Sequence, residues 1–353
     1  MKRKYILPYF LFFQIILLKI IPYFPETVEQ YYSNRLYLII SKIERIALGN
    51  IPFSVGDCLY FILIVLGLKW LLKKRKTWKL DWKNNTLAIL SFISVFYFCF
   101  HLLWGLNYYR QPLFEKMAIE RDYSDADLLA FTKKIIAKTN AVQNQITNND
   151  NLKVVVPYSQ EQFFEKSLNG YKTLSNQYSF FDYENPSIKK SLFSLPLTYM
   201  GFGGYLNPFT NEAQVNYLGP MYRFPMTTNH EMAHQMGFAS ESECNFIGFL
   251  ACIKNEDYYI QYSGYSMALQ YCLGNLYAKD EKIYDELLKT VNPGVLKNYQ
   301  ESELFWKQYD TIIDKGFHAF YDQFLKANQQ QDGLDSYSKY VNLMVNYYKD
   351  KEF

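Results

Sequence analysis

The chain has 353 residues, 37 basic and 34 acidic side chains, 49% hydrophobic residues and a mean hydropathy of −0.20. These values exclude a disordered or collagen-like chain, and five cysteines in this length exclude a disulfide scaffold. The net charge of +3 divides into +9 over residues 1–84 and −6 over the remainder, and because the basic excess flanks apolar runs, nucleic-acid binding is excluded as well.

Three long apolar runs lie in the first 106 residues, at about 5–24, 55–72 and 86–106. The third contains 21 residues without a formal charge, which is enough to cross a hydrocarbon core of ~30 Å. One such run can be a buried helix of a soluble protein, but three runs with basic flanks predict three transmembrane helices. We therefore expect a membrane domain over 1–106 and an extracytoplasmic domain over 107–353.

Basic residues define the expected orientation. The loop between the second and third runs carries six Lys or Arg, and the N-terminus carries three more. Short loops rich in these residues stay in the cytoplasm, so the N-terminus is predicted inside and the C-terminal domain outside. The first run also resembles a signal peptide, but no small-residue cleavage site follows it, so we expect a retained helix.

The segment after the membrane part has a mainly helical pattern. Residues 124–145 begin with Ser and Asp and repeat apolar positions three and four apart, which predicts an amphipathic helix, and 158–178 are similar. Residues 191–217 are rich in β-branched, aromatic and Gly residues and predict two or three short strands with a turn at 201–204. Helix is expected again after Thr228. The predicted fold class is mainly α (α+β) with a small β-sheet.

The motif that carries chemistry is HExxH, formed by His230, Glu231 and His234. Helical positions four apart lie about 40° apart around the axis, so both imidazoles can bind one Zn²⁺ with Glu231 beside it. Thr227 or Thr228 is expected to cap this helix. With four histidines in the chain, on the order of 0.005 chance matches are expected, so the motif indicates a metal site.

A third protein ligand is needed for a catalytic zinc site. Some metalloproteases place a histidine three residues after a glycine such as Gly237, but this chain has Ser240 there. The remaining histidines are His101, inside the third apolar run, and His318, far downstream. A carboxylate is therefore the better candidate for the third ligand.

Two carboxylates follow closely, Glu241 and Glu243. Ser240 and Glu243 have the spacing of a capping box at the start of a new helix. Glu241 and Asn245 are spaced i, i+4, which lets the carboxylate reach the metal while the amide holds a ligand imidazole. We favour Glu241 as the third ligand, with Glu243 as the alternative. Gly237 is expected to have a positive φ at the reversal between the two helices.

These residues predict peptide-bond hydrolysis by a zinc-activated water with Glu231 as general base. Donors to the oxyanion are less defined, and Tyr262, Tyr265 and His318 are the candidates. The segment 212–217, just before the metal helix, is predicted to be either an edge strand that binds an extended peptide or a core strand.

Five segments together resemble one family. They are GNIPFSVGD (49–57), GFGGYLNPFTNEAQVN (201–216), HEMAHQMGFASESECNF (230–246), YSGYSMAL (262–269) and FLKANQQQDGLDSYSKYVNL (324–343). In this order the set resembles the bacterial domain of unknown function 3810 family. The resemblance implies an integral membrane protein with an extracytoplasmic, gluzincin-like zinc domain and no established substrate.

The resemblance also implies roles by position. His230 and His234 match the ligand pair, and Glu231 matches the catalytic acid. Glu241 with Asn245 is similar to the Glu-x-x-x-Asp/Asn helix that supplies the third ligand in gluzincins. Six residues separate His234 from Glu241, which departs from the spacing in the best-known gluzincins.

The leading hypothesis is a zinc metallopeptidase anchored in the bacterial cytoplasmic membrane, with its C-terminal domain in the periplasmic or extracellular space. Its expected partners are the lipid bilayer and a peptide or protein substrate. The alternative is a non-catalytic zinc-binding membrane receptor or scaffold that retains the peptidase fold.

Overall fold

The computed structural model describes residues 3–328, 337–351 and 353. The described chain is mostly helical (71%) with a small mixed sheet, as the sequence predicts. The first five α-helices are α1 (Ile6–Ile20), α2 (Pro25–Thr27), α3 (Tyr37–Leu48), α4 (Val55–Lys74) and α5 (Trp82–Leu103). A π-helix at Val28–Leu36 joins α2 to α3, and 3₁₀ turns lie at Arg3–Tyr5, Ile21–Tyr23, Gly105–Tyr109 and Ser179–Phe181.

Three helical segments are long and apolar enough to cross a membrane: Arg3–Tyr23, Val55–Lys74 and Trp82–Leu103. They correspond to the three predicted apolar runs. Most of their side chains are not covered by the rest of the protein, so these apolar surfaces indicate membrane association.

The remainder of the chain continues with elements from α6 to α16. These are α6 (Leu113–Lys116), α7 (Asp125–Thr147), α8 (Gln160–Gln177), β1 (Ile188–Lys190), α9 (Ser194–Tyr199), β2 (Gly204–Asn207), β3 (Glu212–Val215), α10 (Phe224–Gln235), α11 (Glu241–Ile253), α12 (Tyr258–Lys279), α13 (Glu281–Leu288), α14 (Pro293–Lys307), α15 (Ile312–Ala327) and α16 (Tyr337–Tyr347). The predicted helix at 124–145 is α7, and it begins with a capping box between Ser124 and Asp127. The predicted helix at 158–178 is α8.

The sheet differs from the expectation in two respects. Its order is β1-β3-β2, with β1 parallel and β2 antiparallel to β3, so the strand at Glu212–Val215 is central and the edge-strand alternative is wrong. All four residues of β3 are buried, as a central strand requires. The segment 191–217 also contains helix α9, whose Pro196 lies in the first turn, where no backbone N–H is needed.

The main hydrophobic core is helical, and a second, smaller core joins the start of the chain to the region after α10. Tyr37 of α3 belongs to this second core and is fully buried. Its hydroxyl donates to the carbonyl of Gln235 at 2.8 Å and accepts from Asn211 Nδ2 at 2.8 Å. Residues of the N-terminal segment 3–106 therefore pack directly against residues of the C-terminal segment. The division of the chain into two domains at residue 106 stays a prediction.

The sheet also rests on the apolar helices. The Glu212 carboxylate of β3 accepts the backbone N–H groups of Val55 (3.1 Å) and Gly56 (2.6 Å) at the start of α4. Between β2 and β3, the ring of Phe209 lies between Tyr60 of α4 and Phe96 of α5, with centroid distances of 6.2 and 4.7 Å. The turn of the β2–β3 hairpin is therefore held by two of the helices that can cross a membrane.

Candidate metal centre

Helix α10 carries the HExxH motif. It begins at Phe224 with Pro225 in its first turn, where the fixed φ of proline favours helix initiation. The predicted cap at Thr227 or Thr228 is therefore wrong, because the helix starts a turn earlier. Thr227 instead donates its hydroxyl to the carbonyl of Arg223 at 3.4 Å.

The two histidines point toward one place. The Nε2 atoms of His230 and His234 are 3.1 Å apart, and the two rings lie 4.7 Å apart between centroids. With a carboxylate oxygen of Glu231 they offer three ligand atoms within 4.8 Å of one another. This is the arrangement expected for residues four apart on one helical face.

Glu241 adds a carboxylate from the start of α11. Its Oε2 lies 3.2 Å from His230 Nε2, and its Oε1 lies 3.5 Å from His234 Nε2. The chain reaches this position through Gly237, whose φ of +86° confirms the predicted reversal. A Cβ at Gly237 would also lie 2.7 Å from the ring of Tyr37, so both conformation and space require glycine.

Glu243 takes a different position from Glu241. Its Oε1 accepts the backbone N–H of Leu113 at 2.6 Å. The predicted capping box with Ser240 is wrong, because Ser240 precedes α11 without a side-chain cap bond. The carboxylate of Glu243 therefore satisfies the backbone at the start of α6, a distant segment that local sequence spacing does not reveal.

Both imidazoles are held from behind. His230 Nδ1 lies 2.9 Å from Asn245 Oδ1, which places Asn245 where the sequence expects it. His234 Nδ1 lies 2.8 Å from the carbonyl of Phe238 and 3.2 Å from Cys244 Sγ. Contacts at Nδ1 fix the orientation of each ring and leave the Nε2 atoms directed at Glu241.

Glu231 is buried beside these groups. Burial raises the pKa of Glu231 to about 7, although the neighbouring imidazoles act in the opposite direction. Its Oε2 is buried without a hydrogen-bond partner among the described residues. Strand β2 passes close to this carboxylate at Gly204, where a Cβ would lie 2.7 Å from Glu231 Oε1. A buried carboxylate oxygen without a protein partner is costly to desolvate, so Glu231 Oε2 is suited to accept a hydrogen bond from water or substrate.

The predicted oxyanion donors lie in different places. The Tyr262 hydroxyl donates to Asn298 Oδ1 at 2.8 Å inside the helical core. The ring of Tyr265 packs against Phe249 in the same core. His318 lies on α15, with its Nε2 3.1 Å from Asp314 Oδ1.

Tyr321, also on α15, is a site residue that the sequence does not reveal. Its hydroxyl donates to Glu241 Oε1 at 2.9 Å. The ring of Phe202 packs against both Tyr321 (4.8 Å) and His318 (6.0 Å). Helix α15 thereby reaches the site from a distant part of the chain.

A buried ion cluster supports the turn after α10. The guanidinium of Arg110 donates to both carboxylate oxygens of Glu29, at 2.7 and 2.8 Å, and to the carbonyl of Gly237 at 2.8 Å. Lys116 Nζ lies 2.7 Å from Glu29 Oε1. Because Phe238 follows Gly237 and its carbonyl contacts His234, the cluster stabilises the orientation of the His234 imidazole.

We expect the Glu29→Gln variant to lose about 3 kcal/mol of unfolding free energy at pH 7. Burial by itself raises the pKa of Glu29, but Arg110 and Lys116 outweigh it and lower that pKa to about 2. The ionised Glu29 carboxylate stabilises the folded state at pH values above 4.5, its pKa in the unfolded chain. This stabilisation is lost as the pH falls from 4.5 toward 2, where the folded state also becomes protonated. The unfolding free energy of the wild type should therefore change more steeply with pH between 4.5 and 2 than that of the variant. The matched control is Glu26→Gln, an exposed position, and equal slopes in the wild type and Glu29→Gln would contradict the prediction.

The comparisons with known proteins give one match. A family model described as "Protein of unknown function (DUF3810)" matches residues 32–345. No curated protein and no solved structure matches the chain. The matched range contains His230, Glu231, His234 and Glu241, together with the two helices that carry them. The chain therefore belongs to the DUF3810 family of proteins of unknown function.

Proposed function

We propose that the chain is a membrane-anchored zinc metallopeptidase with a gluzincin-like domain. The observation that supports this most is the convergence of two imidazole Nε2 atoms and the Glu241 carboxylate beside Glu231, whose Oε2 has no hydrogen-bond partner in the described part of the chain. Two histidines and one glutamate are a ligand set that catalytic zinc uses in peptidases. A helical fold with a small sheet next to the metal helix is compatible with this class.

The residues present fit the metal. His230, His234 and Glu241 would hold Zn²⁺, and Asn245 would keep the first imidazole oriented. When bound, Zn²⁺ supplies a Lewis acid that polarises a carbonyl and lowers the pKa of water. Glu231 then accepts the proton of the attacking water and passes it to the leaving amine.

Other residues of the chain have roles in the proposed reaction. The Tyr321 hydroxyl donates to Glu241 Oε1 and orients this carboxylate, and it is a candidate donor to the oxyanion with His318. Strand β2 forms an edge of the sheet and passes Glu231 at Gly204, so an extended peptide can add to β2 beside the general base.

The proposed location follows from the charge distribution. Six basic residues over 73–83, from the end of α4 to the start of α5, and three at the N-terminus favour the cytoplasmic side for both segments. The metal centre then lies on the outer side of the cytoplasmic membrane, and its substrate is a peptide or protein there.

The test uses the purified full chain in detergent or nanodiscs. We expect one zinc ion per chain, hydrolysis of a peptide library, loss of hydrolysis on chelation and recovery when Zn²⁺ is added back. A protein that binds no zinc would contradict the proposal. A protein that binds zinc in this site but cleaves no peptide would support the alternative, a non-catalytic zinc-binding receptor or scaffold.

A further inference from the structure

The metal helix is attached directly to the outer end of the third apolar helix. Helix α5 ends at Leu103, and the next residue, Trp104, donates its indole Nε1–H to the carbonyl of His234 at 3.1 Å. The Trp104 and His234 rings are 6.0 Å apart between centroids. Trp104 is buried in the second core directly after a helix that is long enough to cross a membrane, so it lies at the level where this helix leaves the bilayer. One side chain therefore separates a metal-binding imidazole from this boundary.

The sheet lies equally close to the membrane. Phe96, which packs against Phe209 at the hairpin turn, precedes the end of α5 by seven residues, or about 10 Å along the helix. The turn between β2 and β3 therefore reaches to the level of the outer acyl chains. Strand β2, which borders Glu231 at Gly204, rises from that level toward the site.

Helix α15 forms a third connection between the site and the membrane. Near its C-terminal end, Phe324 packs against Phe100 of α5 and against Tyr108, with centroid distances of 6.4 and 6.3 Å. One turn earlier on the same helix, Tyr321 bonds to Glu241. The helix also exposes the apolar side chains Ile312, Ile313 and Phe320, as a helix at a lipid surface does.

These contacts limit which substrates can reach the site. The ring of His234 lies 6.0 Å from the ring of Trp104, the residue that follows α5, and about two residues of extended chain cover that distance. A folded domain of ordinary size has a radius of gyration of roughly 13 Å, so its interior bonds cannot come this close to the bilayer. The peptide bonds of an extended segment that emerges from the membrane can reach the site at this height.

We infer that the site acts on polypeptides anchored in the same membrane and cleaves them within about five residues of the point where they leave the bilayer. This inference rests on the proposed peptidase function and names its substrate class. Anchoring also raises the effective concentration of the substrate, because enzyme and substrate share one surface.

The experiment uses the full chain, loaded with zinc, in lipid vesicles. The probes are peptide libraries joined to a single apolar transmembrane anchor through polar spacers of about 3, 10 and 20 residues, and the same libraries without an anchor. Mass spectrometry locates each cleaved bond. The Glu231→Gln variant in matched vesicles controls for contaminating proteases.

We expect the cleaved bonds to cluster within about five residues of the anchor for every spacer length, and anchored peptides to be cleaved at least about tenfold faster than free ones. Equal rates for anchored and free peptides, or cleavage spread along the longest spacer, would overturn the inference and leave the peptidase function intact. If neither the anchored nor the free peptides are cleaved, the proposed function is overturned and this inference with it.

Discussion

Replacing Glu231 by glutamine is expected to leave the zinc content unchanged and to lower peptide turnover by about 10²–10⁴-fold. Glutamine has nearly the shape of glutamate, so it fits between Gly204 and the imidazoles without disturbing the fold. It cannot accept a proton, and the step assigned to Glu231 is lost. The measurement combines zinc stoichiometry with the turnover of an anchored peptide.

The control for this prediction is Glu165→Gln, which makes the same chemical change at an exposed position on α8. We expect it to keep both zinc and turnover. If Glu231→Gln cleaves at the wild-type rate, then Glu231 is not the general base. If it loses zinc, then its carboxylate belongs to the ligand set.

The second large effect is expected at Glu241. The Glu241→Gln variant should bind zinc at least about 100-fold more weakly. Loss of a residue that only hydrogen-bonds to a metal ligand typically lowers affinity 10–100-fold, and loss of a charged ligand should lower it more. The amide oxygen still accepts the Tyr321 hydroxyl, so the contact with α15 is kept. Competition with a chromogenic chelator measures the affinity.

Glu243→Gln is the matched control, since the same change is made two residues away on the same helix. The glutamine oxygen can still accept the backbone N–H of Leu113, so the fold is expected to persist with normal zinc affinity. A weak affinity in Glu243→Gln together with a normal one in Glu241→Gln would identify Glu243 as the third ligand.

Local signals in the sequence account for much of the fold and the site. The three apolar helices follow from composition alone, and the start of α7 follows from the capping box at Ser124. The juxtaposition of His230 with His234 follows from helical periodicity, and the contact between Asn245 and His230 follows from the spacing of Glu241 and Asn245. Each of these features depends on residues that are close in sequence.

Features that depend on distant contacts were not predictable. Glu243 fits a local capping box, yet its partner Leu113 lies 130 residues away. Tyr321 is separated from Glu241 by 80 residues, and its local sequence does not distinguish it from the other 32 tyrosines of the chain. The central position of β3 depends on its pairing with β1 and β2, because the pattern of one strand does not determine its neighbours.

The buried contact between Tyr37 and Gln235 has a consequence for the timing of biosynthesis. The two residues are 198 positions apart, so the ribosome makes the first about 10–40 s before the second at 5–20 residues per second. During that interval the Tyr37 hydroxyl lacks its acceptor in α10, and the residues of the candidate metal centre have not been made. The proposed peptide hydrolysis therefore begins only after the three apolar helices have been synthesised.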